Sequence, residues 1–179
     1  EPQIKKYLSE EMRALEIEKL DDLYFMFENE NLIADLRKFL DANKVDLIVI
    51  DTWSDTFAGN PNNWAEIRGN LSDLRDIIVK YGCSVLLIHH NVKNSESSDP
   101  NKNKVNGSQA IEAKMRVVLE LREGESDDER ILTIVKANHL PKSMKGVGFI
   151  LQIDDDTLLF SNTGRNNCFK GGGSNKESK

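Results

Sequence analysis

The 179 residues include two cysteines and four prolines, and only 7% are aromatic. Cys83 and Cys168 match no metal-binding spacing, and they read as free thiols of a cytoplasmic protein rather than as a disulfide. No apolar run reaches membrane-spanning length, no signal peptide opens the chain, and no internal repeat occurs. Positive charge is also short: 24 Lys and Arg face 30 Asp and Glu, for a net charge of -6. A whole-surface nucleic-acid binder is thereby excluded, so any such contact must come from a local basic loop. The first residue is Glu1 rather than Met, and the chain is expected to be a fragment. What remains is an ordinary globular balance, 39% hydrophobic and 30% charged, over a length that suits one domain.

The most informative stretch is Asp46-Leu47-Ile48-Val49-Ile50-Asp51-Thr52. Four apolar residues, three of them β-branched, run into a single acid. The run predicts a buried strand of a parallel sheet over Val45 to Asp51, closed by a carboxylate at its C-terminal end. In open α/β sheets that end faces the ligand crevice, and an aspartate there can hold Mg²⁺ through its oxygens. The plain alternative is a core strand whose acid caps the following turn.

Around this strand the spacing predicts alternating helices and strands. Ile4, Leu8, Met12 and Leu15 repeat at helical intervals from Pro2 onward. Leu23 to Phe27 predicts a short aromatic strand. Asn31 to Ala42 predicts a helix with Leu32, Ile33, Leu36, Phe39 and Leu40 on one face. Ser54 to Asn63 predicts a polar loop. A long helix is expected from Trp64 to Tyr81, with Gly82 in the left-handed position after it. Cys83 to Ile88 is a second uninterrupted apolar strand, ending in His89-His90. Two such strands flanking an amphipathic helix make a βαβ unit with parallel pairing.

The later chain reads differently. Asn91 to Asn106 is a long polar loop, of a length that is usually functional or disordered. Gly107 to Ala113 predicts a short helix. Strands are expected at Arg116 to Leu121 and Arg130 to Val135, with Lys136-Ala137-Asn138-His139 following the second. Phe149 to Ile153 and Leu158 to Ser161 predict an antiparallel hairpin. The Gly-rich end from Lys170 predicts a flexible tail, and 166–179 is assigned to it.

Three polar clusters therefore follow apolar strands: Asp51-Thr52, His89-His90 and Lys136. If those strands are parallel, an acid, an imidazole and an ammonium meet on one sheet edge. An acid for the metal, a donor for a terminal phosphate and a cation for developing charge are what phosphoryl transfer requires. Zinc is the rival for His89-His90, but neighbouring side chains on an extended segment point opposite ways.

With these residues quoted, a resemblance becomes specific. Leu47 to Thr52, then Ser84-Val85-Leu86-Leu87-Ile88-His89-His90-Asn91-Val92-Lys93, then Asn106-Gly107-Ser108-Gln109-Ala110-Ile111 resemble the back half of a RecA-like ATPase core. The branch they resemble is the RepA type, related to the DnaB and KaiC families, which includes hexameric replicative helicases. The resemblance covers about residues 1 to 165. It implies a three-layer α/β P-loop fold with a mostly parallel central sheet and a C-terminal β-hairpin. It also implies ATP and Mg²⁺ as cofactors, single-stranded DNA as partner and a homo-oligomeric, hexameric ring.

Roles follow by resemblance, residue by residue. Asp51 resembles the aspartate that holds the Mg²⁺ shell, with Thr52 beside it. His89 or His90 resembles the polar sensor of the γ-phosphate. Lys93, Lys102 and Lys104 lie in a loop resembling the one that faces the DNA channel, closed by Gly107 and Ser108. Lys136 resembles a basic residue offered to a neighbouring subunit's nucleotide. Glu1 resembles the acid that polarises the attacking water.

Two departures stand out. No Gly-x-x-x-x-Gly-Lys-Ser/Thr occurs, and Gly171-Gly172-Gly173-Ser174 lacks both the lysine and a preceding strand. The phosphate-cradling unit is thus expected to precede Glu1, and the chain alone is expected to be inactive and soft in its fold. The late strand carries Asn138 where the family often has arginine, so Arg116 and Arg165 remain open as arginine fingers. A KaiC-like regulatory ATPase, a catalytically dead RecA-like scaffold and an α/β domain of other function are the remaining readings.

Overall fold

The computed structural model describes residues 12, 22–27, 31–56, 63–90, 111, 113–144 and 146–168. The fold is α/β, and the chain divides into two compact units. One comprises Met26–Arg116, the other Glu1–Phe25 with Val117–Lys179.

The first unit is the expected βαβ arrangement. Helix α1 (Leu32–Leu40) starts where the Asn31 side chain accepts the Ala34 N–H at 3.2 Å, relieving one of the unpaired donors of a first turn. Strand β1 (Leu47–Ile50) follows, then one helical turn, α2 (Trp53–Thr56). That turn replaces the start of the loop expected from Ser54. It forms because the Thr52 carbonyl accepts the Asp55 and Thr56 N–H groups at 3.3 Å each.

Helix α3 (Trp64–Tyr81) has the predicted bounds. Asn63 caps it, accepting the Ala65 N–H at 3.0 Å while its own amide donates to Glu66 Oε1 at 2.6 Å. Gly82 ends it at φ 69°, donating to the Ile78 carbonyl, the left-handed stop that a residue without Cβ adopts at no steric cost. Strand β2 (Ser84–Leu87) then pairs parallel with β1, with Leu47 opposite Ser84 and Ile50 opposite Leu87.

The core lies on one face of this pair. Ile48 and Ile50 of β1 meet Leu36 and Leu40 of α1 and Ile67, Leu71, Leu74 and Ile77 of α3, joined by Trp53 and Cys83. On the other face Leu47, Val49 and Leu86 are 44–54% exposed. The uninterrupted apolar runs had predicted burial on both faces; the helices of this unit cover only one. A polar knot ties the helix ends together: Tyr81 hydroxyl and Lys80 Nζ both donate to Asp41 Oδ1, at 2.7 and 3.0 Å.

The second unit is an antiparallel sheet in the order β3 (Val117–Glu123), β4 (Glu129–Ala137), β5 (Val147–Ile153), β6 (Phe160–Cys168). The expected hairpin is present as β5–β6, but it belongs to a larger four-stranded sheet. Lys136 lies within β4, opposite Val118, rather than after a parallel strand. The strand runs on because its ladder with β3 continues through Ala137. Leu23 to Phe27 forms no strand, and its side chains are 37–50% exposed. β-propensity reports a fit to a pleated, half-buried surface, and aromatic content alone does not supply one. The helix expected from Pro2 lies outside the described residues apart from Met12, as does the tail from Lys170; residues 166–168, assigned to that tail, instead complete β6, held by their pairing with β5. Among the described residues, no helix is long and apolar enough to cross a membrane.

Candidate active site

The C-terminal ends of β1 and β2 lie side by side, and the hydrogen bonds there define the site. At the N-terminal ends Ser84 N–H donates to the Asp46 carbonyl at 2.8 Å, and at the C-terminal ends Ile88 N–H donates to the Ile50 carbonyl at 2.9 Å. In a regular parallel ladder Thr52 would donate the next bond, to the Ile88 carbonyl. Trp53 donates it instead, at 2.9 Å. The chain therefore slips by one residue at Asp51-Thr52, where the peptide bond is cis. An extra residue of this kind re-aims side chains at a sheet margin.

Burial then sorts the polar residues onto two faces. Along β1, Leu47, Val49 and Asp51 are exposed, while Ile48, Ile50 and Thr52 are buried. Along β2, Leu86, Ile88 and His90 are exposed, while Val85, Leu87 and His89 are half-buried. Asp51 and His90 thus continue the open face of adjacent strands. Thr52 and His89 continue the helix-covered face.

Three of the four have distinct settings. The Asp51 carboxylate makes no hydrogen bond or ion pair with another described residue. Thr52 is 8% exposed and its hydroxyl donates to Asp55 Oδ2 at 2.7 Å. Thr56 hydroxyl closes the turn onto the Thr52 and Trp53 carbonyls, at 3.2 and 3.1 Å. The Nδ1 atom of His89 is shut off from solvent with no hydrogen-bond partner among the described residues. Asp55 was missed in the sequence, although Thr52-x-x-Asp55 is the spacing by which a threonine and an acid serve one helix start.

Lys136 is not brought to this edge by the parallel ladder. It belongs to the antiparallel sheet and to the other compact unit. Arg165 of that sheet pairs with Glu129. Glu1, Lys93, Lys102, Lys104, Gly107 and Ser108 lie outside the described residues. Cys83 is a free, buried thiol, as expected, and burial pushes its pKa up, away from nucleophilic use.

The donor set can be tested against Mg²⁺. Among the described residues, no group of three or more His, Cys, Asp or Glu side chains could hold a metal. A lone, exposed carboxylate at a strand end is not an all-protein cage. It fits Mg²⁺, which keeps waters and is commonly held by one or two carboxylates together with substrate phosphates.

Comparison with known proteins bears on the fold that carries these residues. The fold matches the crystal structure of the RadB recombinase with a TM-score of 0.56 at 13% identity, over 86% of this chain and 71% of that one. The fold is RecA-like. Residues 8–96, just under half of the chain, match the AAA domain family, and that span includes Asp51, His89 and His90. No curated protein matches the sequence.

Proposed function

We propose that the chain is the metal-side part of a cytoplasmic RecA-like ATPase that works on DNA in replication or recombination. The observation that carries the reading is that Asp51 and His90 are both exposed at the ends of two parallel strands, beside a one-residue slip. Asp51 would hold Mg²⁺ there. His90, exposed on the same face, is better placed than His89 to meet a terminal phosphate. Bound Mg²⁺–ATP would supply the phosphoryl group and most of the charge to be stabilised.

The remaining roles rest on the sequence resemblance. Lys136, in the other unit, is read as the cation offered to a neighbouring subunit's nucleotide, which makes a homo-oligomeric, hexameric ring part of the mechanism. Lys93, Lys102 and Lys104 are read as contacts to single-stranded DNA, and Glu1 as the residue that polarises water. The sequence lacks a phosphate-cradling Gly-x-x-x-x-Gly-Lys-Ser/Thr, so backbone donors for the β- and γ-phosphates must come from polypeptide beyond these residues. The exposed apolar face of β1 and β2 supports that reading, since a parallel pair is normally covered on both sides. On this view the 179 residues alone do not turn over ATP, and residues 1–165 form a partial ATPase domain.

The test is DNA-stimulated ATP hydrolysis by the full-length parent and by its Asp51→Asn variant. Loss of a metal-binding carboxylate should lower kcat by about 10²–10³-fold, the scale of a removed transition-state contact. Unchanged turnover in the variant would overturn the assignment of Asp51. Absence of turnover in the parent would favour a RecA-like scaffold.

A further inference from the structure

Asp55 has no part in that reading. It is exposed in the one-turn helix α2 and adds nothing to the core. Its Oδ2 accepts the hydroxyl of Thr52 at 2.7 Å. Thr52 is 8% exposed and follows Asp51 directly. The Thr52 carbonyl accepts the Asp55 and Thr56 N–H groups, at 3.3 Å each, and the Thr56 hydroxyl at 3.2 Å. Those backbone bonds are longer than the usual distance of about 2.9–3.0 Å. A short bond from a hydroxyl to a carboxylate is roughly twice as strong as a neutral one, so the Asp55 side chain supplies the firmest tie of the turn. The neighbouring strand holds the chain on either side. Ile88 N–H donates to the Ile50 carbonyl and Ile88 O accepts the Trp53 N–H, both at 2.9 Å. Neither bond engages the Asp51-Thr52 peptide unit between them; the Thr52 side chain hangs from that unit.

We propose that Asp55 is a positioning residue for Asp51. By holding the Thr52 hydroxyl it fixes the rotation of the rigid peptide unit that Asp51 and Thr52 share. That rotation sets the direction in which the Asp51 carboxylate leaves the strand end. Asp55 touches neither metal nor nucleotide in this role and acts through Thr52. The two acids then divide the work: Asp51 meets the ligand and Asp55 steadies the turn that carries it. The proposal rests on Asp51 being the ligand-binding acid.

Residue-resolved amide exchange on the 179-residue chain, without nucleotide, is one half of the test. In Asp55→Ala the Trp53 amide should exchange about tenfold faster, the scale of one lost hydrogen bond to a charged group, while the amides of α3 keep their protection. Thr52→Val removes the donor and should quicken the same amide. The two substitutions together should do no more than either alone, because they cut one bond from its two ends. Turnover by the full-length parent is the other half. Asp55→Ala should lower kcat about tenfold, as a misplaced reacting group does, with the KM for nucleotide unchanged. Asp55→Asn, which keeps an acceptor oxygen but not the charge, should recover most of the protection and most of the kcat. Full additivity of the two substitutions, equal damage from Asp55→Asn and Asp55→Ala, or a quickened Trp53 amide with kcat unchanged would each overturn the proposal and leave Asp55 as a charge at a helix start. If Asp55→Ala does not fold, the contrast in Trp53 exchange between Thr52→Val and Thr52→Ser, which keeps the hydroxyl, decides; equal exchange in the two would overturn the proposal. Full turnover in Asp51→Asn would sink the ATPase assignment and this role with it. Exchange, read without nucleotide, tells that failure from a failure of the Thr52-Asp55 bond.

Discussion

The two sheets of this protein use hydrophobic pattern in opposite ways. In the parallel pair every residue of β1 is apolar, yet only Ile48 and Ile50 are buried; Leu47 and Val49 stand in solvent. In the antiparallel sheet, β3 alternates, but the face it hides carries charge. Glu120 is 7% exposed and accepts Arg122 Nη2 and Nε at 2.8 and 2.9 Å. Opposite Glu120 sits Thr133, fully buried. Val117, Leu119 and Leu121, on the other face of β3, are 48–53% exposed. A period of two shows that a strand has two faces. It does not say which face is covered. Arg122 pairs with one carboxylate oxygen of Glu120 and so offsets part of the cost of burying the two charges; the covered face need not be the apolar one.

The sharpest way to break the comparison is to remove a core side chain from one unit and an apolar side chain from the open face of the other. Ile77 is 1% exposed in α3. Ile77→Ala should cost about 2–5 kcal/mol, the usual range for a buried isoleucine truncated to alanine. Leu119→Ala, at a half-exposed site of β3, should cost under about 1 kcal/mol. Chemical denaturation of both variants measures the difference. Equal losses would mean that the open face of β3 is buried in solution by something the chain itself does not supply.

This contrast also shows what the sequence could disclose. Helix α3 was legible because the helical spacing from Trp64 to Tyr81 and Gly82 after it are local signals that agree; its Asn63 cap was read only in the structure. The end of β1 at an acid was legible for the same reason. The slip at Asp51-Thr52 was not, since it is set by which N–H reaches Ile88 O across to the other strand. The two faces that separate His89 from His90 depend on where α1 and α3 pack, and adjacent histidines look alike in sequence. Lys136 was misplaced because a mostly apolar strand reads the same whether its neighbour runs parallel or antiparallel. The pairing of β4 with β3 and β5 is what makes it antiparallel.

A smaller effect probes the second unit from within. Gly124 lies in the turn between β3 and β4, and a Cβ placed there would stand 2.4 Å from Glu129 Cβ and 3.0 Å from the Glu129 carbonyl carbon. Neither neighbour is the loose end of a side chain. Gly124 N–H also donates to the Glu129 carbonyl at 3.0 Å, so the turn cannot open without losing that bond. Gly124→Ala should therefore destabilise the antiparallel sheet by about 1–3 kcal/mol, as overpacking does, and leave the protection of α3 unchanged. Hydrogen exchange resolved by residue would show it. Matching losses in both units would mean that the two melt as one.

The smallest effect concerns charge, and here the units should part at high pH. Asp41 has its carboxyl held below the usual 3.8 by the Tyr81 hydroxyl first and Lys80 second. In the other unit Ser126 and then Gln152 lower Asp128, and the Thr157 backbone N–H and hydroxyl lower Asp154. A carboxylate depressed on folding adds stability above its unfolded pKa, and that stability is lost as pH falls through the lower folded value. Both units should therefore soften in acid. Lys80 runs the other way. Tyr81 first, and Asp41 next, raise it above the usual 10.5. Its contribution is present below that value and disappears as pH rises through the raised one. All these groups are exposed, so each effect is modest and weakened by salt. Alkaline titration followed by NMR should loosen the ends of α1 and α3, and Asp41→Asn, which removes the second of the two groups that raise Lys80, should lessen that loosening. An undiminished alkaline response in Asp41→Asn would mean that Asp41 does not help to hold the two helix ends together.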